Sequence, residues 1–390
     1  MSKTAKVVIV DYEDLQVPAE ESNGKETISK HEKLMQALEE AFGPNGSGII
    51  GIANVPGFVE AKNDLLPLAH RLANLPPKEL ESLEDPASLY NAGWSHGKEQ
   101  LKKDQPDWAK GSFYFNPIVD VPGTPEDREK YPVSYPINKW PDPKTSSLPE
   151  LEPAAKKIGQ LMRDVAVDLS VHIDTFAHSK NPSYNRNTLS DALADTIKVK
   201  GRLLYYFPLP SQQQNDDEES TPNQSPVEDS WIGWHNDSGF LTALAGDLYI
   251  DPTTGQPLTT PPADAGLYVM NRSDHQVVKV EIPPNCMAIQ MGECTQILTG
   301  GSVVATPHCV RGAPNIARAS LACFIDTPPQ YPLSVPSGLD RESVIRQQQE
   351  QNSNSQNRIP SLESRWTENG MTFGYFLQQT FQMYYDWTNK

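Results

Sequence analysis

Trp234-His235-Asn236-Asp237-Ser238-Gly239-Phe240-Leu241-Thr242-Ala243-Leu244 is the stretch that decides how this chain is read. In extended backbone, side chains alternate between faces, so His235 and Asp237 are expected to point the same way. An imidazole beside a carboxylate makes two thirds of a metal site. His308, in Thr306-Pro307-His308-Cys309-Val310, is positioned on a later strand to supply the third ligand. Two imidazoles and one carboxylate on one side of a metal leave the opposite positions open for other ligands. Ten residues after His308, Arg318 and Ser320 share a strand face within Ala317-Arg318-Ala319-Ser320. A planar guanidinium with a hydroxyl beside it fits a carboxylate through charge-assisted contacts. A His-x-Asp triplet is common by chance, and a lone His on an apolar strand is usually a core residue. The order of the pieces carries the reading: a metal triad followed by a carboxylate anchor suits an enzyme that chelates a keto acid.

Composition narrows the surroundings of such a site. The chain has 390 residues, enough for one large domain or two, with 37% hydrophobic residues and 35 prolines that imply long loops. A net charge of −17 argues against nucleic acid or an anionic membrane as a partner, since both require a basic face. Cys286, Cys294, Cys309 and Cys323 lack paired-ligand spacing and fall in apolar runs, so reduced core thiols are expected. The N-terminus has no long apolar segment with a cleavage site, and no run reaches membrane-span length. The expectation is a cytoplasmic monomer acting on a small molecule.

Along the chain, apolar spacing predicts helices over about 26–42, 59–75, 77–83, 153–176, 190–197, 340–350 and 372–385. Gly43-Pro44 ends the first of these. Strands are predicted at 7–10, 49–54, near 202, and then as short runs at 241–244, 248–251, 266–271, 277–282, 286–291, 296–298, 302–308 and 319–326. Many short strands separated by turns imply a sandwich or barrel. Tyr114 and Asn116 alternate with Phe113 and Phe115, so one pair is a candidate for the pocket wall and the other for the core. Residues 117–151 read as an irregular covering loop. His172 falls on the buried stripe of the long helix, and His96 and His275 are spare histidines at surface or turn positions. The acidic, polar stretch 211–229 and the polar run 351–358 are expected to be mobile loops. The last helix, with Phe373, Phe376, Leu377, Phe381 and Tyr384, is expected to clamp the barrel.

Five motifs in order carry a resemblance to a known family: Val8-Ile9-Val10-Asp11, Gly48-Ile49-Ile50-Gly51-Ile52-Ala53-Asn54, Arg202-Leu203-Leu204-Tyr205-Tyr206-Phe207-Pro208, the segment from Gly292-Glu293 through Thr299-Gly300-Gly301-Ser302 to His308, and Arg318-Ala319-Ser320. Together they resemble the isopenicillin N synthase-like branch of the 2-oxoglutarate- and Fe(II)-dependent dioxygenases, over nearly the whole chain. The resemblance implies a mainly β fold with flanking helices: a double-stranded β-helix (jelly-roll) core with an α/β N-terminal region. It implies an N-terminal region over 1–150, a catalytic core with bracing helices over 151–335, and a helical extension over 336–390. It implies Fe(II) on His235, Asp237 and His308, and 2-oxoglutarate held at its far carboxylate by Arg318 and Ser320. Tyr206 would offer a hydroxyl to that co-substrate, O2 would be consumed, and ascorbate would support turnover. Two positions depart from the family pattern. Leu204 stands where the family has asparagine, and Cys309 stands where it has arginine.

Three other readings stay open from the residues. One is an Fe(II)/O2 oxidase of the same fold that does not use the keto acid, which Leu204 keeps open. Another is a Zn²⁺ hydrolase with a His-Asp-His site. The third is an inactive metal- or ligand-binding protein.

Overall fold

The computed structural model describes residues 4–17, 25–98, 100–102, 105–209, 231–272, 274–352 and 359–388. The acidic stretch 211–229 and most of the polar run 351–358 lie outside them. The strands that build the molecule are β1 (Thr4–Lys6), β2 (Val8–Asp11), β3 (Ile49–Ala53), β4 (Gly93–His96), β5 (Lys110–Phe115), β6 (Val199–Tyr206), β7 (Ile232–His235), β8 (Leu241–Ile250), β9 (Gly266–Met270), β10 (Val277–Glu281), β11 (Cys286–Met291), β12 (His308–Arg311) and β13 (Ala317–Ile325). They form an eight-stranded sheet, β2-β3-β11-β8-β13-β6-β5-β4, and a five-stranded sheet, β1-β10-β9-β12-β7. The amino-terminal strands are woven into both: β1 runs parallel to β10, and β3 pairs antiparallel with β11.

The two-residue period of the large sheet sorts its side chains into two environments. On β13, Ala317, Ala319, Leu321, Cys323 and Ile325 join a core with the helices, while Arg318, Ser320, Ala322 and Phe324 face a cavity. On β6, Leu203 and Tyr205 join the helical core, and Arg202, Leu204 and Tyr206 face the cavity. The 30-residue helix Leu151–Lys180 covers the outer face with Ile158, Met162, Val165, Leu169, Ile173 and Phe176, all buried. Burial of each such side chain contributes about 1.5–3 kcal/mol before the cost of ordering it. His172 lies on this buried face as expected, with Nε2 2.9 Å from the Leu15 carbonyl. A second apolar cluster joins Leu204, Tyr206 and Tyr249 of the large sheet to Leu267, Val269, Val278, Val280 and Val310 of the small one. The cavity opens between these two sheets.

Several local expectations are corrected. The helix expected over 59–75 is two, Phe58–Leu65 and Leu68–Ala73, because Pro67 cannot donate the bond that would continue the first. The runs expected at 241–244 and 248–251 form one strand, Leu241–Ile250, with a bulge between Leu244 and Asp247. Gln296–Leu298 is helical, within Glu293–Leu298. A short apolar run does not distinguish strand from buried helix, and the N–H groups of Glu293 and Cys294 at the start of this helix bind the carbonyls of Asp237 and Gly239 instead of a ladder partner. Residues 302–307 are not a strand. Side chains satisfy their backbone: Gln296 Oε1 accepts from Ala305 N–H, and Arg272 donates to the Val304 carbonyl.

Phe113 and Phe115 are core residues, and neither Tyr114 nor Asn116 lines the cavity. Asn116 instead accepts from the N–H groups of Ile118 and Val119. Within 117–151, a six-residue helix, Pro125–Lys130, interrupts the irregular loop. His96 is stacked on Phe207 at 4.5 Å between ring centroids, and His275 sits in a turn with positive φ. The final helix, Phe373–Thr388, buries Phe373 and Phe376 but leaves Phe381 exposed. Among the described residues, no helix is long and apolar enough to cross a membrane.

Candidate active site

His235 ends β7 and His308 begins β12, and the two are direct cross-strand partners. Their rings stand 4.2 Å apart between centroids. Asp237 lies beyond the end of β7, in the loop leading to β8, so strand alternation is not what aims it. The loop is tied to the helix Glu293–Leu298: Glu293 N–H donates to Asp237 O at 2.8 Å, Cys294 N–H to Gly239 O at 3.0 Å, and Thr295 Oγ1 to Phe240 O at 2.7 Å. Helix N-termini carry N–H groups with no partner inside the helix, and here the loop supplies the partners. On its other side Phe240 N–H donates to Asp326 Oδ1 at 3.0 Å.

The result is a compact triad. Asp237 Oδ1 is 3.9 Å from His235 Nε2 and 3.8 Å from His308 Nε2, and one ligand atom from each residue lies within 4.8 Å of the others. His235 Nδ1 meets the Gly233 carbonyl at 2.8 Å, and His308 Nδ1 meets the Thr306 carbonyl at 3.0 Å. A carbonyl only accepts, so Nδ1 carries the proton in both rings and each Nε2 presents a lone pair to the common point. Burial and the neighbouring His308 push the His235 imidazole down to about 4, which keeps it neutral at physiological pH. Asp237 Oδ2 is buried without a hydrogen-bond partner. Two imidazole lone pairs and an orphaned carboxylate oxygen are what a divalent metal ion satisfies.

The triad opens into a cavity of about 700 Å³ between the sheets. Arg318 and Ser320 line it from β13, and Tyr206 and Leu204 line it from the adjoining β6. The Arg318 guanidinium lies 4.6 Å from the Tyr206 ring and 6.0 Å from the Trp231 ring, whose own centroids are 5.0 Å apart. Flat aromatic faces hold a guanidinium in a fixed plane. Arg318 Nη2 donates to Asp247 Oδ1, while its Nε and Nη1 are buried and unpartnered. Those donors suit the carboxylate of a bound acid. Every residue read as a site candidate therefore faces one cavity: His235, Asp237, His308, Arg318, Ser320 and Tyr206.

Sequence reasoning missed Asp247, Trp231, Tyr249 and Arg202. Asp247 and Tyr249 reach the cavity because the bulge after Leu244, with Gly246 at φ 85°, resets the alternation of β8. Trp231 carried no motif signal. Arg202 stood within a quoted motif, and its even position on β6 could have placed it beside Leu204 and Tyr206. Cys286, Cys294, Cys309 and Cys323 are all buried free thiols, as expected, and burial pushes Cys323 up to about 12.

No protein-family model matches the chain, and no curated protein does. Solved structures do. A protein of Caulobacter crescentus described as a 2OG-Fe(II) oxygenase family member superposes with a TM-score of 0.62 at 17% identity, covering 98% of this chain and 100% of its own. A full-length Neurospora crassa protein in complex with alpha-KG and thymine gives 0.61 at 17% identity, covering 96% of each chain. JOX2 in complex with 2OG, Fe and JA gives 0.58 at 14% identity, covering 88% of this chain and 81% of its own. With its two sheets, flanking helices and central cavity, the chain has the jelly-roll fold of the 2-oxoglutarate- and Fe(II)-dependent oxygenases.

Proposed function

We propose that the protein is an Fe(II)- and 2-oxoglutarate-dependent oxygenase that oxidises a C–H bond of a small organic molecule, hydroxylation being the simplest outcome. One observation carries this reading: two imidazole Nε2 atoms and an unpartnered carboxylate oxygen converge in the same cavity as a buried guanidinium with unpartnered donors. His235, Asp237 and His308 would hold the iron. Iron held there would supply the chemistry that couples O2 and the oxidative decarboxylation of 2-oxoglutarate, to succinate and CO2, to oxidation of the substrate. The carbonyls of Gly233 and Thr306 fix the tautomer of both ligand rings. Arg318, kept in plane by Tyr206 and Trp231, and Ser320 would hold the far carboxylate of the co-substrate. Leu204, Ile232, Leu244, Leu267 and Phe324 give the cavity apolar walls that limit water. The solved relatives that hold thymine or JA support a small-molecule substrate.

Succinate formation from 2-oxoglutarate by the purified protein, with Fe(II), ascorbate and O2, tests the proposal. Iron-dependent succinate that rises on addition of a metabolite pool is the expected result. Leu204, apolar where the resemblance has asparagine, and Asp247, already on Arg318, favour a second reading: an Fe(II)/O2 oxidase that does not consume the keto acid. O2 uptake that needs iron and a pool but yields no succinate would select it.

A further inference from the structure

Glu293 and Arg365 form an ion pair sealed from solvent, with side-chain exposures of 0% and 1%. The pairing is two-pronged: Arg365 Nη1 donates to Glu293 Oε2 at 2.6 Å and Nη2 to Oε1 at 2.7 Å. Taking both charges out of water costs several kcal/mol per ion, and apolar residues of similar shape commonly hold a fold as well or better. Stability alone is thus a weak reason for the pair. What distinguishes it is where each end leads.

Glu293 holds the metal loop twice. Its Oε1 accepts from Asn236 Nδ2 at 3.2 Å, and its backbone N–H donates to Asp237 O at 2.8 Å. Asn236 stands between the two ligands His235 and Asp237. Gln348, from the helix Arg341–Asn352, adds a longer contact to the same oxygen at 3.5 Å. Arg365 belongs to the helix Leu362–Arg365, 72 residues downstream of Glu293. Its own position is fixed by the carboxy-terminal segment. Nη2 donates to Pro360 O at 2.9 Å, Nε to Ser361 O at 3.2 Å and Nη1 to Thr380 Oγ1 at 3.3 Å, with the Phe376 ring 5.4 Å from the guanidinium.

We infer that Glu293 and Arg365 are positioning residues, through which the carboxy-terminal segment fixes Asn236 and so aims the Asp237 carboxylate at the metal. The inference rests on the metal-site reading above. Groups behind a ligand commonly change metal affinity by about 10- to 100-fold when removed.

Mn(II) binding to the full-length protein, followed by the electron-paramagnetic-resonance signal of the free ion, tests this without turnover. The single variant Glu293→Ala strands a buried cation and is liable to unfold, so the pair is replaced together. Glu293→Met/Arg365→Met removes both charges and keeps bulk. It is expected to retain the wild-type melting midpoint within a few degrees while binding Mn(II) about 10- to 100-fold more weakly. Asn236→Ala leaves the ion pair intact and severs only its side-chain grip on the loop, and it is expected to show the same weakening with an unchanged melt. Wild-type Mn(II) affinity in Asn236→Ala, or in the folded double variant, overturns the inference. Wild-type protein that binds no Mn(II) would instead sink the metal-site reading beneath it.

Discussion

Arg318 and Asp247 stand on adjacent strands with the guanidinium Nη2 donating to the carboxylate Oδ1. The proposed co-substrate anchor thus already carries one carboxylate, with Tyr249 donating its hydroxyl to the other oxygen at 3.2 Å. Asp247 places negative charge where an anionic co-substrate would dock. Asp247→Asn keeps an acceptor for Arg318 and removes that charge, so the KM for 2-oxoglutarate is expected to fall about 3- to 10-fold, most clearly at low salt. Arg318→Lys keeps the charge but loses the fork, and the KM should rise about 10- to 100-fold with Mn(II) binding unchanged. Steady-state kinetics in 2-oxoglutarate checks both. A higher KM in Asp247→Asn would mean that the pair chiefly aims the guanidinium.

Asp237→Ala and His308→Ala each remove one of the three proposed ligands from a site that has no buried substitute nearby among the described residues. Each is expected to abolish iron-dependent succinate formation and weaken Mn(II) binding by at least about 100-fold. Neither should unfold the protein, because Asp237 Oδ2 makes no hydrogen bond and the His308 ring, among the described residues, hydrogen-bonds the local Thr306 carbonyl. Retained turnover in either variant would sink the triad.

The convergence of the candidate residues on one cavity was legible because they lie in short motifs whose order along the chain survives folding into neighbouring strands. Strand parity was enough to put Arg318 and Ser320 on one face, and the family resemblance supplied Tyr206. Parity also grouped Asp237 with His235, and the two do converge, although a loop and not strand alternation aims the carboxylate. It could not find Asp247, because one extra residue at a bulge inverts every face beyond it. The Glu293–Arg365 pair was out of reach for a different reason. Its partners come from segments 72 residues apart, and only the docking of the carboxy-terminal helices brings them together. Helix and strand were confused at Gln296–Leu298, where the metal loop decides the outcome by taking the first N–H groups of the turn.

Leu204 faces the cavity opposite Ser320 on the paired strand. It presents methyl groups where the resembling family presents an amide. Leu204→Asn is expected to lower the KM for 2-oxoglutarate about fivefold, the worth of one hydrogen bond, at some loss of thermal stability from the buried amide. An unchanged KM would place the co-substrate out of reach of this position and strengthen the oxidase reading.

His172 gives the fold a pH dependence of its own, remote from the site. Its ring is 2% exposed within the long helix, and burial pushes its pKa below the ordinary 6.5. Below pH 6.5 the unfolded chain takes up a proton here that the folded chain refuses. The unfolded state therefore binds more protons, and stability falls as pH drops, at up to about 1.4 kcal/mol per pH unit until the folded-state pKa is passed. Above pH 6.5 the ring is neutral in both states and contributes no slope. His172→Gln cannot titrate, yet its amide still donates to the Leu15 carbonyl that now meets Nε2 at 2.9 Å. Denaturation at pH 7.5 and pH 5.5 should show the wild type losing more stability on acidification than the variant. Equal losses would assign the acid sensitivity to other groups.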